Sequence, residues 1–251
     1  MKIGLALSGG GARGIAHLGV LKAFDEHGIK FSAISGTSAG AIVGALYAYG
    51  HTPDEILEMI TRTSFVRSLR LALAKTGLLR IDQLGDLLLK YLPENDFGCL
   101  KIPLTVAATD IVKGETTYFS EGALVNAILA SSCIPVIFDP LKYNGSFYVD
   151  GGILDNLPVE PLTNTCDFII GCHTNPIDNN FDLRNVKTLI ERSLLMAING
   201  NTQKRRELCQ VFIEPPALRK YGGMELGKAK ELFDIGYEYT KSNIGEFNIL
   251  R

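Results

Sequence analysis

The sequence predicts an α/β protein organised on parallel strands, and three observations predict it. The chain opens with two successive units in which a short apolar run passes through a glycine turn into a helical apolar pattern, first over residues 3–28 and then over residues 31–49. Further short apolar runs bounded by turn signals recur later, at residues 168–172 and 210–214, as buried strands do. Helical patterns separate them, and strands alternating with helices build a parallel sheet. At 251 residues and 46% hydrophobic content the chain can bury a sizeable core, and one domain over residues 1–251 is expected.

Composition narrows the function classes. A formal net charge of -2 shows no basic bias, so nucleic acid is not an expected partner. Five cysteines, an odd number with no C-x-x-C spacing, fit free thiols in a reducing compartment rather than disulfides or a zinc site. No signal peptide or membrane-spanning run is legible, and a soluble cytoplasmic protein is the expectation. No cofactor and no metal are expected.

In the first unit residues 3–8 read as a strand, and Ile15, Ala16, Val20, Leu21 and Phe24 form the apolar face of a helix that stops at Gly28. Between them Gly9, Gly11 and Gly14 match G-x-G-x-x-G, which points several backbone N–H groups at one place and favours negative charge there. In the second unit residues 31–35 read as a strand and 41–49 as a buried helix. The turn Gly36-Thr37-Ser38-Ala39-Gly40 is a G-x-S-x-G sequence that would lift Ser38 to the tip of a strained elbow. The ordinary alternative is a serine that caps the helix after it.

The next helix starts at the capping box of Thr52 and Glu55 with Pro53 in its first turn. Between residues 59 and 81 stand Arg62, Arg67, Arg70, Lys75 and Arg80 with no acidic residue, interleaved with leucines. Such a stretch suits a lid or a membrane-surface contact, although a solvated helix face is the favoured reading. Asp82 is expected to cap a helix through Leu92, ended by Pro93. Residues 103–112 and 115–119 form a hairpin about Lys113-Gly114, and Ser120 is expected to cap a helix through about Ser131. A second hairpin turns at Asn144-Gly145 and delivers Asp150-Gly151-Gly152, where the two glycines could thrust Asp150 into a crowded site, although taken alone a solvated turn aspartate is the favoured reading. Helices at residues 186–207 and 226–242 flank the last strand.

The chemistry turns on the strand that comes after the glycine loop and its helix. A dinucleotide fold places a carboxylate at the end of its second strand to hold a ribose; here the second strand ends in Ser35-Gly36-Thr37-Ser38. A serine nucleophile beside convergent N–H donors is what acyl transfer requires, because the tetrahedral intermediate carries its charge on oxygen. The donors expected are Gly9, Gly10, Gly11 and Ala12, chiefly Gly10 and Gly11. For the base, His173 comes after a strand and the order Ser38, Asp150, His173 matches an α/β-hydrolase triad, but that fold builds several strands before its elbow. His17 and His27 lie within the first helix. Asp150 acting directly on Ser38 is therefore favoured, with Asp110 and Asp155 as rival bases. An exposed aspartate with a pKa of about 3.9 is a poor base, so proton transfer should accompany bond formation. Cys133 and Cys172 read as buried free cysteines.

Gly9-Gly10-Gly11-Ala12-Arg13-Gly14, then Gly36-Thr37-Ser38-Ala39-Gly40, then Asp150-Gly151-Gly152 resemble the motifs of the patatin-like phospholipase family. Further echoes are Thr109-Asp110, the segment from Ala130 to Pro135, and Asn156 with Pro158. The resemblance covers about residues 3–175; residues 184–251 are less distinctive. It implies a three-layer α/β/α fold with a mostly parallel central sheet, and a Ser38–Asp150 dyad that hydrolyses acyl esters of lipids without a metal. Arg13 would steady the loop or an anionic head group, with a structural ion pair as its equal. Two other readings stay open: a non-catalytic acyl-lipid-binding or regulatory protein, and a dinucleotide-binding oxidoreductase.

Overall fold

The computed structural model describes residues 1–62, 81–135, 137–183 and 185–247. Eight strands form one sheet: β1 (Ile3–Leu7), β2 (Ala33–Thr37), β3 (Leu104–Asp110), β4 (Glu115–Phe119), β5 (Leu141–Tyr143), β6 (Ser146–Asp150), β7 (Phe168–Cys172) and β8 (Val211–Ile213). Their order is β5-β6-β3-β2-β1-β7-β8, with β4 paired to β3. The ladders among β3, β2, β1, β7 and β8 are parallel, while β4, β5 and β6 add antiparallel pairs at the other end. The expected mostly parallel α/β sheet is therefore present.

The β1 sequence shows why the sheet is covered on both faces. All five residues are buried, and alternate residues enter different cores. Leu5 and Leu7 join one core with Phe24 of α1 (Ala16–Glu26), Leu46 of α2 (Ala39–Tyr49) and Phe233, whereas Ala6 joins a second with Leu157, Val159 and Leu162. The second core is small, but it seals the other face. Burying each such leucine contributes roughly 2 kcal/mol, and a strand shielded on both sides has no use for polar alternation.

Beyond these, α3 (Pro53–Arg62) begins at the expected box: Thr52 N donates to Glu55 Oε2 at 2.8 Å and Glu55 N to Thr52 Oγ1 at 3.3 Å. Arg62 pairs with Glu58 one turn back. The rest of the basic stretch, residues 63–80 with Arg67, Arg70, Lys75 and Arg80, lies outside the described residues. Next come α4 (Asp82–Tyr91), α5 (Leu124–Ser132), a one-turn α6 (Glu160–Thr163), α7 (Val186–Arg206) and α8 (Ala229–Asn243).

Four local expectations are corrected. The second strand starts at Ala33 and runs to Thr37, because its ladder pairs Gly36 with Leu7 and Thr37 with Ala107; Phe31 instead anchors the preceding loop edge-on against Phe24, 5.5 Å between centroids. Ile81, not Asp82, occupies the cap of α4, and Ala123, not Ser120, that of α5. The glycine loop enters a 3-10 turn over Gly11–Ile15 before α1 begins. The short α6 has no legible signal at four residues.

Candidate active site

The two residues that matter are brought together by β3. Along its first half β3 pairs with β2, placing Thr37 opposite Ala107, and along its last residues it pairs with β6, placing Asp150 opposite Ala108. The two strands thus end against adjacent residues of a common partner. Ser38 comes directly after Thr37, so residues more than a hundred positions apart meet across one step of the ladder.

Ser38 holds φ 52° and ψ -120°, a conformation that costs a residue with a side chain on the order of 1–3 kcal/mol. Neighbours fix it there. Ser38 N donates to Ser131 Oγ at 2.7 Å, and Ser131 Oγ donates to Ala107 O at 2.6 Å. Glycine is required at the turn because a Cβ on Gly40 would overlap the carbonyl oxygens of Leu7 and Ser8, and one on Gly36 would sit 2.6 Å from Gly40 O. The side chain makes no capping hydrogen bond to α2; only the Ser38 carbonyl enters the helix, accepting from Ile42 N at 3.1 Å. The hydroxyl is left for other work, and the capping alternative does not hold.

Asp150 is held by its backbone, with Asp150 N donating to Cys133 O at 2.9 Å and Thr109 Oγ1 donating to Asp150 O at 3.1 Å. Its carboxyl accepts from Gly152 N at 2.8 Å and stands close enough to Ser38 for the two side chains to interact. Burial raises its pKa to about 6, with the nearby Ser38 side chain and the Gly152 N–H pulling the other way. This corrects the expectation of an exposed, weakly basic aspartate. The carboxylate is buried and tuned toward neutrality, where a general base is most useful. Gly151 packs against Ala107 O and Thr37.

The glycine loop divides into engaged and unengaged amides. Gly9 N donates to Asn156 O at 3.1 Å and Ala12 N to Gly223 O at 2.7 Å, so both are committed elsewhere. Gly10 N and Gly11 N have no acceptor among the described residues. Gly14 backs on Ala39 beneath the elbow. Arg13 is buried beside the loop, where desolvation pulls its pKa down to about 10 against the opposing charge of Glu225.

The rival groups are occupied. Asp110 Oδ1 accepts from Ser146 Oγ at 2.7 Å and from the N–H groups of Val112 and Lys113 at 2.9 and 3.0 Å. Asp155 lies 2.9 Å from Arg205 Nε and accepts from Tyr118 at 2.6 Å. His173 Nδ1 is 2.7 Å from Glu214, in a separate pair. His17 Nε2 donates to Ser8 O at 2.8 Å, so its Nδ1 accepts from the Cys172 thiol, and burial lowers its pKa to about 4. His27 and His51 hold backbone carbonyls. Burial pushes the Cys133 thiol up to about 12 and raises that of Cys172 further, which makes neither a nucleophile. Among the described residues no three His, Cys, Asp or Glu side chains cluster to hold a metal ion.

Two cavities meet at Ser38. One, of about 140 Å³, is almost wholly apolar and runs between α2, α3 and α4, lined by Val43, Leu46, Ile60, Leu88 and Tyr91. The other, of about 840 Å³, is wider and more polar, with Asp150, Arg13, Asn175, Arg192 and Arg219 on its walls. Gly11, Gly223 and Met224 border both. Residue patterns placed Ser131 only within the Ala130 to Pro135 segment, with no role at the elbow, and missed the loop at Gly223; a serine inside a helix and a glycine far downstream carry no local signal of their contacts.

A mostly parallel α/β sheet whose second strand breaks into a strained serine elbow, beside a buried aspartate and a glycine loop, defines an α/β protein with a serine–aspartate site. The chain belongs to the patatin-like phospholipase family, which matches over residues 5–163. It is 37% identical over 164 residues to an uncharacterized NTE family protein of Mycobacterium bovis, covering 64% of this chain and 45% of that one. It is 28% identical to a lysophospholipase of Aspergillus fumigatus, covering 95% of this chain and 18% of the relative. This chain therefore spans less than half the length of these relatives. Similar solved structures are VipD of Legionella pneumophila (TM-score 0.53, 16% identity, 93% of this chain and 66% of that one) and human GIVD cytosolic phospholipase A2 in complex with a fluorophosphonate (TM-score 0.51, 13% identity, 98% and 58%). They share the fold.

Proposed function

We propose that this chain is a serine hydrolase that cleaves acyl esters of lipids through an acyl-Ser38 intermediate. The observation that carries the reading is the position of Ser38: a strained, uncapped hydroxyl beside a buried carboxylate, where an almost wholly apolar cavity and a wider, more polar one meet. Asp150 accepts the Ser38 proton as Oγ attacks the ester carbonyl. The N–H groups of Gly10 and Gly11 receive the oxyanion, a contribution of roughly 3 to 4 kcal/mol per donor. Asp150 then protonates the leaving alcohol, and a water deprotonated by the same carboxylate releases the acyl group.

The apolar cavity suits one acyl chain and the wider cleft a polar leaving group, so monoacyl lipids are the first substrates to test. The activity in the Aspergillus relative's name supports that choice. The same reading takes residues 1–251 as one domain acting in the cytoplasm, with membrane contact through the basic stretch as the less favoured alternative to a solvated face; five free cysteines fit a reducing setting. Among the described residues no helix is long and apolar enough to cross a membrane.

A second serine–aspartate contact, Ser146 with Asp110, favours a rival assignment by its 2.7 Å hydrogen bond. Labelling with a fluorophosphonate and mapping the adduct by mass spectrometry separates the two. The adduct is expected on Ser38; finding it on Ser146, or finding lipid bound with no adduct, would overturn the dyad.

A further inference from the structure

We infer that Asn175, together with Thr174, is a positioning residue that aims the Gly10 N–H at the reaction centre. The inference rests on the reading of Ser38 as nucleophile and concerns residues beyond the stretch that carries the family match.

The starting point is one peptide unit. The Gly9 carbonyl and the Gly10 N–H belong to the same planar amide, and no peptide bond among the described residues is cis, so the two groups point in opposite directions. Whatever fixes the carbonyl fixes the N–H. Gly9 O accepts three hydrogen bonds: from Asn175 Nδ2 at 2.5 Å, from Ser8 Oγ at 2.9 Å and from Thr174 Oγ1 at 3.3 Å. A carbonyl with two lone pairs rarely collects three donors, and each withdraws electron density from the amide and makes its N–H a stronger donor. The far side of Gly9 is pinned as well, through Gly9 N and Asn156 O.

The donors are themselves held. Ser8, Thr174 and Asn175 are all buried. Thr174 N donates to Ser8 Oγ at 3.0 Å, and Asn199 Nδ2 of α7 donates to Asn175 O at 3.0 Å. Thr174 and Asn175 come just after β7, which is hydrogen-bonded to β1, so the strand next to the glycine loop delivers them beneath it. Gly10 must be glycine here, because a Cβ would run into Thr174 Oγ1 and come within 3.4 Å of Asn175 Oδ1. Glycines move freely in the absence of such clamps, and an amide that turned over would present a carbonyl to the oxyanion. Asn175 touches neither reacting oxygen and acts through Gly10.

The test uses two shape-conserving variants, Asn175→Leu and Thr174→Val, each of which leaves Gly9 O with two of its donors. An alkyl trifluoromethyl ketone serves as the probe, because addition of serine to it creates a tetrahedral oxyanion; a matched ether lipid that cannot be cleaved reports ground-state binding. Asn175→Leu is expected to lower kcat by about 10- to 100-fold with KM within about threefold. The ketone should bind weaker by the same factor, while ether binding and the melting temperature hold. Thr174→Val should show the same pattern with a smaller loss. Unchanged kcat in Asn175→Leu, or a kcat loss without loss of ketone affinity, overturns the inference. If Asn175→Leu does not fold, Thr174→Val decides alone, and unchanged ketone affinity in it overturns the inference. Failure of the underlying reading looks different: wild-type protein would then take up no fluorophosphonate at Ser38.

Discussion

The molecule contains two serine–aspartate pairs, Ser146 with Asp110 and Ser38 with Asp150, and the proposed reaction centre is the second. Ser146 and Asp110 make the more regular pair, at the antiparallel end of the sheet. Asp110 is also held by two backbone N–H groups of the turn after β3, and neither residue borders either cavity. Both carboxylates are buried, but Ser38 and Asp150 differ in the rest. The serine is strained, the carboxylate has a single backbone donor and a pKa raised to about 6, and the pair stands where two cavities meet. Three donors on one oxygen hold the Asp110 carboxyl charged within its turn, with its pKa lowered, whereas Asp150, with one backbone donor, gains more from neutralisation. A raised pKa is shared by Asp155, which Arg205 and Tyr118 engage; at Asp150 it coincides with the strained serine and the two cavities.

Substitution in turnover assays should separate the two pairs most widely. Ser38→Ala and Asp150→Asn should each lower kcat/KM for ester hydrolysis by about 10⁴-fold or more, while Ser146→Ala and Asp110→Asn stay within about threefold. Parity between the two sets in steady-state assays would erase the distinction.

Stability should move in opposite directions at the two sites. Asp150 has a folded-state pKa raised to about 6, so the stability associated with its protonated form is present below about pH 3.8 and is lost as pH rises through about 6. Asp150→Asn removes that cost and should stabilise the protein at pH 7.5 by about 2 to 3 kcal/mol, with the gain vanishing near pH 4. Asp110→Asn, which weakens three hydrogen bonds in a turn, should destabilise by about 1 to 2 kcal/mol. Urea unfolding of wild type and the two variants at both pH values checks both signs.

In pH–rate profiles, kcat/KM should fall about tenfold per unit below pH 6, where Asp150 becomes protonated and stops acting as a base. An acid limb near pH 4 instead would mean a carboxylate with ordinary exposure. A more modest effect concerns the apolar cavity, which borders Ser38 and not Ser146. Filling it with Leu88→Trp should shift preference toward shorter acyl chains by about 10-fold, since losing room for about two methylenes costs roughly 1.5 kcal/mol. Unchanged chain-length ratios across a series of monoacyl lipids would disconnect that cavity from the acyl group.

Much of this is legible in residue order because the signals are local. The glycines of both turns, the serine between them, the capping box at Thr52 and the hairpin turn at Asn144-Gly145, with φ of 47° and 82°, each reflect a backbone conformation that few residues adopt. Other features leave no local trace. Asp82 and Ser120 carry the composition of helix caps, yet packing places the helix starts at other residues. The burial of Asp150 cannot be read from its turn, because burial depends on what covers a residue. The split of the glycine loop into spent and unspent amides depends on Asn156 and Gly223, partners that lie far along the chain.

Residue order was enough for the parallel α/β class, the elbow at Ser38 and the turn that presents Asp150, since steric limits on a few backbone angles and the period of apolar residues act within a short stretch of chain. It took the folded molecule to bring the ends of β2 and β6 to adjacent rungs of β3, to make the Asp150 carboxyl dry, and to set Asn175 against the Gly9 carbonyl. Those outcomes depend on solvent exclusion and on contacts between distant segments, and neither exists until the sheet has closed.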